Sequence, residues 1–128
     1  MIYEMDQLPP AKRYNLLASL VTPRPIAWIT TIDEEGRINA APFSFFNVFG
    51  SNPPIVAFAP GNKDRETPKD TARNIRRTGE FVVHMVDEPL AQMMVDTSAS
   101  LPHGESEPLS EVCNLFSMIL RPYRIDSV

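Results

Sequence analysis

Small polar groups stand among aromatic rings at the end of a short strand-like stretch, residues 36–47. Within it, residues 37–41 alternate like a β-strand, and Pro42 then removes a backbone donor and fixes φ. We expect the strand to end or bulge at Pro42, which leaves free amides beside Ser44, Asn47 and three phenylalanines. Free amides beside rings suit a flat heterocycle with a polar edge. A strand end plugged by core aromatics is the alternative, and composition alone favours it.

A second group of residues is suited to an anion. Residues 67–70 have the pattern of a helix start, with Thr67 as N-cap and Pro68 in the first turn. Unpaired amides at a helix N-terminus favour a phosphate. Arg65, Lys69 and Thr71 add two cations and a hydroxyl to this end. Thr30 and Thr31 offer two more hydroxyls at the end of the first strand, beside the 42–51 segment. A solvated charged face is the alternative for the two cations, and on their own it is the favoured interpretation.

A mainly β framework must position these groups. Runs of β-branched and aromatic residues predict strands at residues 26–32, 37–41, 55–59 and 80–86. The predicted helices are a short turn at 14–20, a helix from Thr67 to Gly79 with Ala72 and Ile75 facing inward, and one capped by Asp87 that runs to about residue 95. Residues 42–51 are predicted as a loop. The hairpin turn at 33–36 makes the first two strands antiparallel, which favours an α+β fold or a small barrel.

Composition and charge narrow the classes of function. Of the 128 residues, 43% are hydrophobic and 22% charged, which is typical of a globular domain, here expected to be single. The net charge of −4 argues against nucleic-acid binding. Cys113 is the single cysteine, so an internal disulfide is excluded, and without an apolar span or secretion signal we expect a cytoplasmic protein. The spacing of His84, His103 and Cys113 matches no usual zinc pattern, so we expect no metal.

Residues 22–107 resemble the flavin reductase-like family of FMN-binding split barrels. The resemblance rests on RPIAWITT at 24–31, NAAPFSFFN at 39–47, SNPP at 51–54, PKDT at 68–71, NI at 74–75, TGEFVV at 78–83 and TS at 97–98, with Gly104, Ser106 and Glu107. Each motif is short, but their order over most of the chain is specific. The resemblance implies a mainly β, antiparallel split barrel, a homodimer, and one FMN per subunit near the subunit interface.

Carried over residue by residue, the resemblance also implies a flavin site. The hydroxyls of the first strand would contact the ribityl or phosphate end, the 39–47 segment would follow the isoalloxazine, and the helix start would lie near the phosphate. The implied residues are Thr30, Thr31, Asn39, Ala40, Ala41, Ser44, Phe45, Asn47, Ser51, Lys69, Asp70 and Thr71. We expect no catalytic acid–base pair, because flavin supplies the hydride chemistry itself.

The implied function is an FMN-dependent oxidoreductase that takes hydride from NADH or NADPH and passes electrons to flavin or a downstream acceptor. The likeness fades after Glu107, and residues 109–128 do not continue the pattern, so the barrel is expected to be incomplete there. A flavin-binding or dimer-forming module without turnover is therefore the alternative, and a protein similar to pyridoxamine-phosphate oxidases is a third interpretation. Four strands with open edges and the apolar run 115–120 also predict a dimer.

Overall fold

The chain folds into short strands joined by helices, as the mainly β interpretation predicts. A computed structural model describes residues 2–64 and 66–99; Arg65 and residues 100–128, with His103, Cys113 and the 115–120 run, lie outside it. The strands are β1 (Ala27–Ile32), β2 (Ile38–Phe43), β3 (Phe46–Ser51), β4 (Pro54–Phe58) and β5 (Val82–His84). The helices are α1 (Pro10–Leu20), α2 (Asp70–Thr78) and α3 (Ala91–Asp96), with 3₁₀ turns at Met5–Gln7 and Glu88–Leu90. Within the described ranges, none of the helices has the length and apolar character needed to span a membrane.

Two antiparallel sheets form the framework. The first has the order β2-β1-β5, with Ile29 of β1 opposite Ala41 on one side and Val83 on the other. The second is a two-stranded ribbon of β3 and β4. The predicted fold class, mainly β with helices in the connections, is confirmed. The two sheets do not close into a barrel within the part of the chain that the structure describes.

Successive side chains of β1 point to opposite sides of the sheet, and both sides are covered by other residues. On one face, Trp28 and Ala40 pack against Val86 and the α3 residues Met93 and Met94. On the other face lies a phenylalanine-rich cluster around Ile29, in which the Phe58 ring centroid is 5.3 Å from that of Phe43 and 5.1 Å from that of Phe81. These apolar contacts fix β1 as the centre of the fold, from which the polar residues farther along the strand are positioned.

The prediction that β2 ends or bulges at Pro42 is wrong. The strand continues to Phe43, and Pro42 lies opposite Trp28 in the register. A proline is tolerated here because, within the described residues, β2 is an edge strand of its sheet, so a missing donor need not break a ladder. The loop predicted for residues 42–51 is also wrong over its second half, since residues 46–51 form β3 and pair with β4. The phenylalanines and Val48 of that segment are good strand formers, and their preference outweighs the proline signals.

The second helix starts later than predicted. Helix α2 begins at Asp70 with Lys69 as N-cap and no capping bond from that side chain, so Thr67 is not the cap. The Thr67 amide instead donates to Oδ1 of Asp64 at 2.8 Å, in a turn that precedes the helix. Gly79 ends the helix with φ 70°, as predicted.

The inward face of α2 is polar rather than apolar. Its buried residues are Thr71 and Asn74, whereas Ala72 and Ile75, predicted to face inward, are only half-buried. Asp87 does cap the turn that follows β5, because its side chain accepts a bond from the Leu90 amide at 3.3 Å.

Candidate functional site

A set of amides and hydroxyls, three of the four residues buried and Asn39 half-buried, joins α2 to the first sheet. Nδ2 of Asn39 donates to Oγ1 of Thr71 at 2.9 Å and lies 3.4 Å from Oγ1 of Thr31. Nδ2 of Asn74 donates to the same Thr31 oxygen at 3.1 Å. Thr31, Thr71 and Asn74 are 3%, 1% and 3% exposed. We call these four residues the amide–hydroxyl cluster.

The periodicity of each element explains why the cluster forms. Thr31 follows Ala27 and Ile29 on one face of β1, and Asn39 is its direct partner on β2. Thr71 and Asn74 are three residues apart and so share one face of α2. Buried polar groups must find hydrogen-bond partners, and here each element supplies a partner for another.

Three of the twelve predicted site residues therefore meet from separate segments: Thr31, Asn39 and Thr71. Asn74 is part of the NI motif at 74–75, on which the family resemblance rests in part, but it is not among the twelve predicted site residues. Its spacing from Thr71 is the signal by which it could have been found, because a Thr and an Asn three residues apart face the same way on a helix.

Thr30 faces the other side of the sheet. Its Oγ1 lies 2.8 Å from Nε2 of His84, and the His84 ring meets the edge of Trp28 with centroids 5.9 Å apart. Burial lowers the pKa of His84, which favours a neutral imidazole there. The two threonines predicted to act together thus point to opposite faces of β1, although both border one cavity.

That cavity lies where β1 runs beyond its pairing with β5. Its volume is about 160 Å³, and it is lined by Thr30, Thr31, Ile32, Ile38, Thr78, Glu80, Phe81 and Val82. Pockets that enclose a cofactor-sized ligand measure roughly 300–1,000 Å³. The cavity as it stands therefore cannot enclose a whole flavin.

The segment from Asn39 to Ser51 is spread over two strands. Residues 39–41 pair with β1 through one edge of β2, and no strand pairs with the other edge in the described ranges. Ala40 is buried beside Trp28, Ala41 is half-buried on the opposite face, and Ser44 is half-buried between β2 and β3.

Phe45 is half-buried and packs outside the two core clusters. Its ring lies 5.4 Å from that of Tyr14, and the Arg24 guanidinium sits 5.7 Å from its centroid. Asn47 is exposed on β3, where its Oδ1 accepts from the Val48 amide at 2.8 Å. Ser51 is exposed at the end of β3, opposite Pro54.

The start of α2 combines cations with uncapped amides. Lys69 is exposed, and the Asp70 carboxylate pairs with Nζ of Lys63 at 2.8 Å and with the Arg73 guanidinium. An exposed ammonium beside first-turn amides without a side-chain cap is a donor set that suits a phosphate, whose charge the helix end also favours. The residues at this end therefore fit the phosphate of FMN.

Comparison with known proteins agrees with these features. The model of the flavin reductase like domain family matches residues 19–114. An uncharacterized protein of Halalkalibacterium halodurans is 49% identical over 102 residues, which make up 80% of this chain and 49% of that protein. The chain spans about half the length of the curated relatives it matches.

Two solved structures share the fold. Nitrilotriacetate monooxygenase component B from Bacillus cereus superposes with a TM-score of 0.78 at 34% identity, over 96% of this chain and 61% of that one. A structure with a split barrel domain from Shewanella frigidimarina gives a TM-score of 0.64 at 25% identity, again over 96% of this chain and 61% of that one. The family inferred from the sequence motifs is confirmed by both kinds of comparison. Because the family model matches most of its length, the chain belongs to the flavin reductase-like family.

Proposed function

We propose that the protein binds FMN and is an oxidoreductase of the flavin reductase type, which moves hydride from NADH or NADPH to flavin or to a downstream acceptor. The observation that carries the proposal is the amide–hydroxyl cluster, because it joins three residues assigned to the flavin from separate segments of a chain in this family. Bound FMN would supply the hydride and electron chemistry, and the protein would hold and orient it. Residues 1–128 would form one such domain, and a cytoplasmic location remains a prediction.

In this proposal some of the twelve residues touch the flavin directly. Lys69 and the first-turn amides of α2 would hold the phosphate, and the outer backbone edge of residues 39–41 would face the isoalloxazine. The remaining direct contacts come from polar groups that the structure leaves exposed or half-buried: Thr30, Ser44, Asn47 and Ser51.

The other assigned residues would act as supports. Thr31 and Thr71 are buried and already accept bonds from asparagine amides, so they would hold the site's shape rather than touch the ligand. The Asp70 carboxylate would repel a phosphate, but its ion pairs with Lys63 and Arg73 keep two cations near the helix start. Phe45, which packs on Tyr14, would form part of the wall of the flavin site.

A homodimer is part of the proposal. The β3–β4 ribbon exposes large apolar side chains, with Val48 62% and Phe49 70% exposed. Apolar surface of this kind normally marks an interaction site. Since the cavity beside Thr30 is smaller than a flavin pocket, a second subunit at the ribbon would supply the missing wall.

A binding module without turnover is the second candidate function. It is supported by the assigned residues, all of which would bind or support the flavin and none of which is assigned a step in the reaction. In that case the domain would hold flavin without reacting with a nicotinamide.

Two measurements on the purified protein separate these functions. A visible absorption spectrum after incubation with FMN and gel filtration reports binding, and anaerobic addition of NADH or NADPH then reports reduction through bleaching of the flavin band. Retention of FMN followed by bleaching is the expected result. Retention without bleaching would leave only the binding module, and a colourless protein that does not quench FMN fluorescence would refute both.

A further inference from the structure

We infer that Asn74 is a positioning residue of the flavin site. It does not face a ligand, but its carboxamide sets the place of the α2 start relative to β1 and β2. This inference rests on the proposed function, in which the α2 start holds the phosphate and β2 faces the ring. The distance between the phosphate site and the ring site would then be set by the amide–hydroxyl cluster.

The geometry of the cluster carries the inference. Asn39 of β2 donates to Thr71 of α2, while Asn74 of α2 donates in the opposite direction to Thr31 of β1. The helix is thus tied to two different strands through residues three positions apart, or about 4.5 Å along its axis at 1.5 Å per residue. Two ties at separate heights fix both the height and the rotation of the helix start.

Directional bonds are needed for this role. The hydrophobic effect is non-directional, so by itself it constrains the rotation of a short helix less tightly than hydrogen bonds do. A hydrogen bond weakens steeply once its angle leaves the preferred range. The half-buried Ala72 and Ile75 leave the fully buried contacts of α2 to Thr71 and Asn74.

The far end of α2 has its own anchor. The Arg77 guanidinium donates to the Ile32 carbonyl at 3.0 Å, and Gly79 ends the helix in a left-handed conformation. Loss of the Asn74 contact would leave the start of the helix held by the Asn39–Thr71 bond alone, while the Arg77 bond still holds its end. The start is the part that carries Lys69, to which the proposed function assigns the phosphate.

The test compares FMN with riboflavin, which lacks the phosphate. Asn74→Leu removes the amide at similar volume, and dissociation constants for both flavins are measured by fluorescence quenching, alongside thermal unfolding without ligand. We expect the preference for FMN over riboflavin to fall roughly tenfold, the size of one buried hydrogen bond. Riboflavin affinity should change little. Thr31→Val removes the acceptor of the same bond together with the 3.4 Å contact to Asn39, so it should lose at least as much. The double variant should lose no more than Thr31→Val alone.

Thr97→Val is the matched control. It removes another buried hydroxyl, which accepts from Nε1 of Trp28 at 2.9 Å on the opposite face of the sheet. It should lower the unfolding temperature without changing the preference for FMN.

Each outcome separates the inference from the proposed function. If the wild type prefers FMN and Asn74→Leu keeps the full preference, the positioning role is wrong and the proposed function stands. An equal loss in Thr97→Val would also overturn the role, because the effect would then follow from stability alone. A wild type that binds neither flavin refutes the proposed function itself. Should Asn74→Leu not fold, the preference measured for Thr31→Val decides the matter.

Discussion

Thr30 and His84 are hydrogen-bonded across two neighbouring strands, with Oγ1 of Thr30 2.8 Å from Nε2 of His84. The imidazole also packs edge-on against Trp28, whose side chain is fully buried. A protonated ring would bring a charge next to this apolar face, and burial accordingly lowers the pKa of His84. The contact couples the protonation of one histidine to the packing at the centre of the fold.

We predict that stability falls as the pH drops below about 6.5, the usual pKa of histidine. The folded state favours neutral His84, so the unfolded chain binds more protons in the window from 6.5 down to the lowered pKa. Stability is fully present above that window and is lost through it, with a slope of at most about 1.4 kcal/mol per pH unit for one proton. Urea unfolding between pH 7.5 and 5.5 measures this. His84→Asn should reduce the slope, and a slope that is unchanged in His84→Asn would contradict the assignment.

We predict that Lys69→Ala weakens FMN binding by about 1–3 kcal/mol, because a charge-assisted bond to the phosphate is lost. Riboflavin binding should not change. Lys12→Ala, an exposed lysine on α1, is the control and should leave both affinities unchanged. Titration of flavin fluorescence measures the dissociation constants of FMN and riboflavin for both variants, which are compared with those of the wild type. Equal losses for FMN and riboflavin in Lys69→Ala would place the phosphate elsewhere.

We predict that Gly79→Ala lowers the free energy of unfolding by about 1–2 kcal/mol, since Gly79 ends α2 with φ 70°. A Cβ at this position would meet no atom within 4 Å, so the cost comes from backbone conformation alone. Gly79→Asn should cost less, because asparagine adopts this conformation more readily. Chemical denaturation of both variants tests the ranking, and a neutral Gly79→Ala would show that the helix end relaxes.

The features predicted correctly from sequence depend on local chemistry. Gly36 takes a positive φ of 77° in the β1–β2 turn, where Oδ1 of Asp33 accepts from the Arg37 amide at 2.8 Å. Gly79 and Asp87 likewise act through bonds to residues close in sequence. Because the partners of these residues lie within a few positions in the sequence, the sequence alone indicates their role.

The features missed from sequence depend on partners far along the chain. Pro42 indicates a strand end until the order of the described strands places β2 at the edge of its sheet. The spacing of Asn74 places it on the same face of α2 as Thr71, but its hydrogen-bond partner Thr31 lies 43 residues earlier in the chain. The sequence therefore indicates which face Asn74 occupies, and only the fold reveals the polar partner that gives it a support role.

The last prediction concerns the exposed β3–β4 ribbon. If it is the interface of a homodimer, an aspartate placed there should be buried unpaired in the dimer at a cost of several kcal/mol. Phe49→Asp should therefore convert the protein to a monomer, as measured by sedimentation at micromolar concentration. It should also weaken FMN binding at least tenfold if the second subunit supplies a wall of the site.

Met85→Asp is the matched control, because Met85 is 72% exposed but follows β5 in the other sheet. It should leave both the dimer and the flavin affinity unchanged. Since Phe49 is itself 70% exposed in the single chain, its replacement should not lower the stability of the monomer. A wild type that sediments as a monomer and still holds FMN would exclude a site built by two subunits. A Phe49→Asp variant that remains a dimer would place the interface on another face.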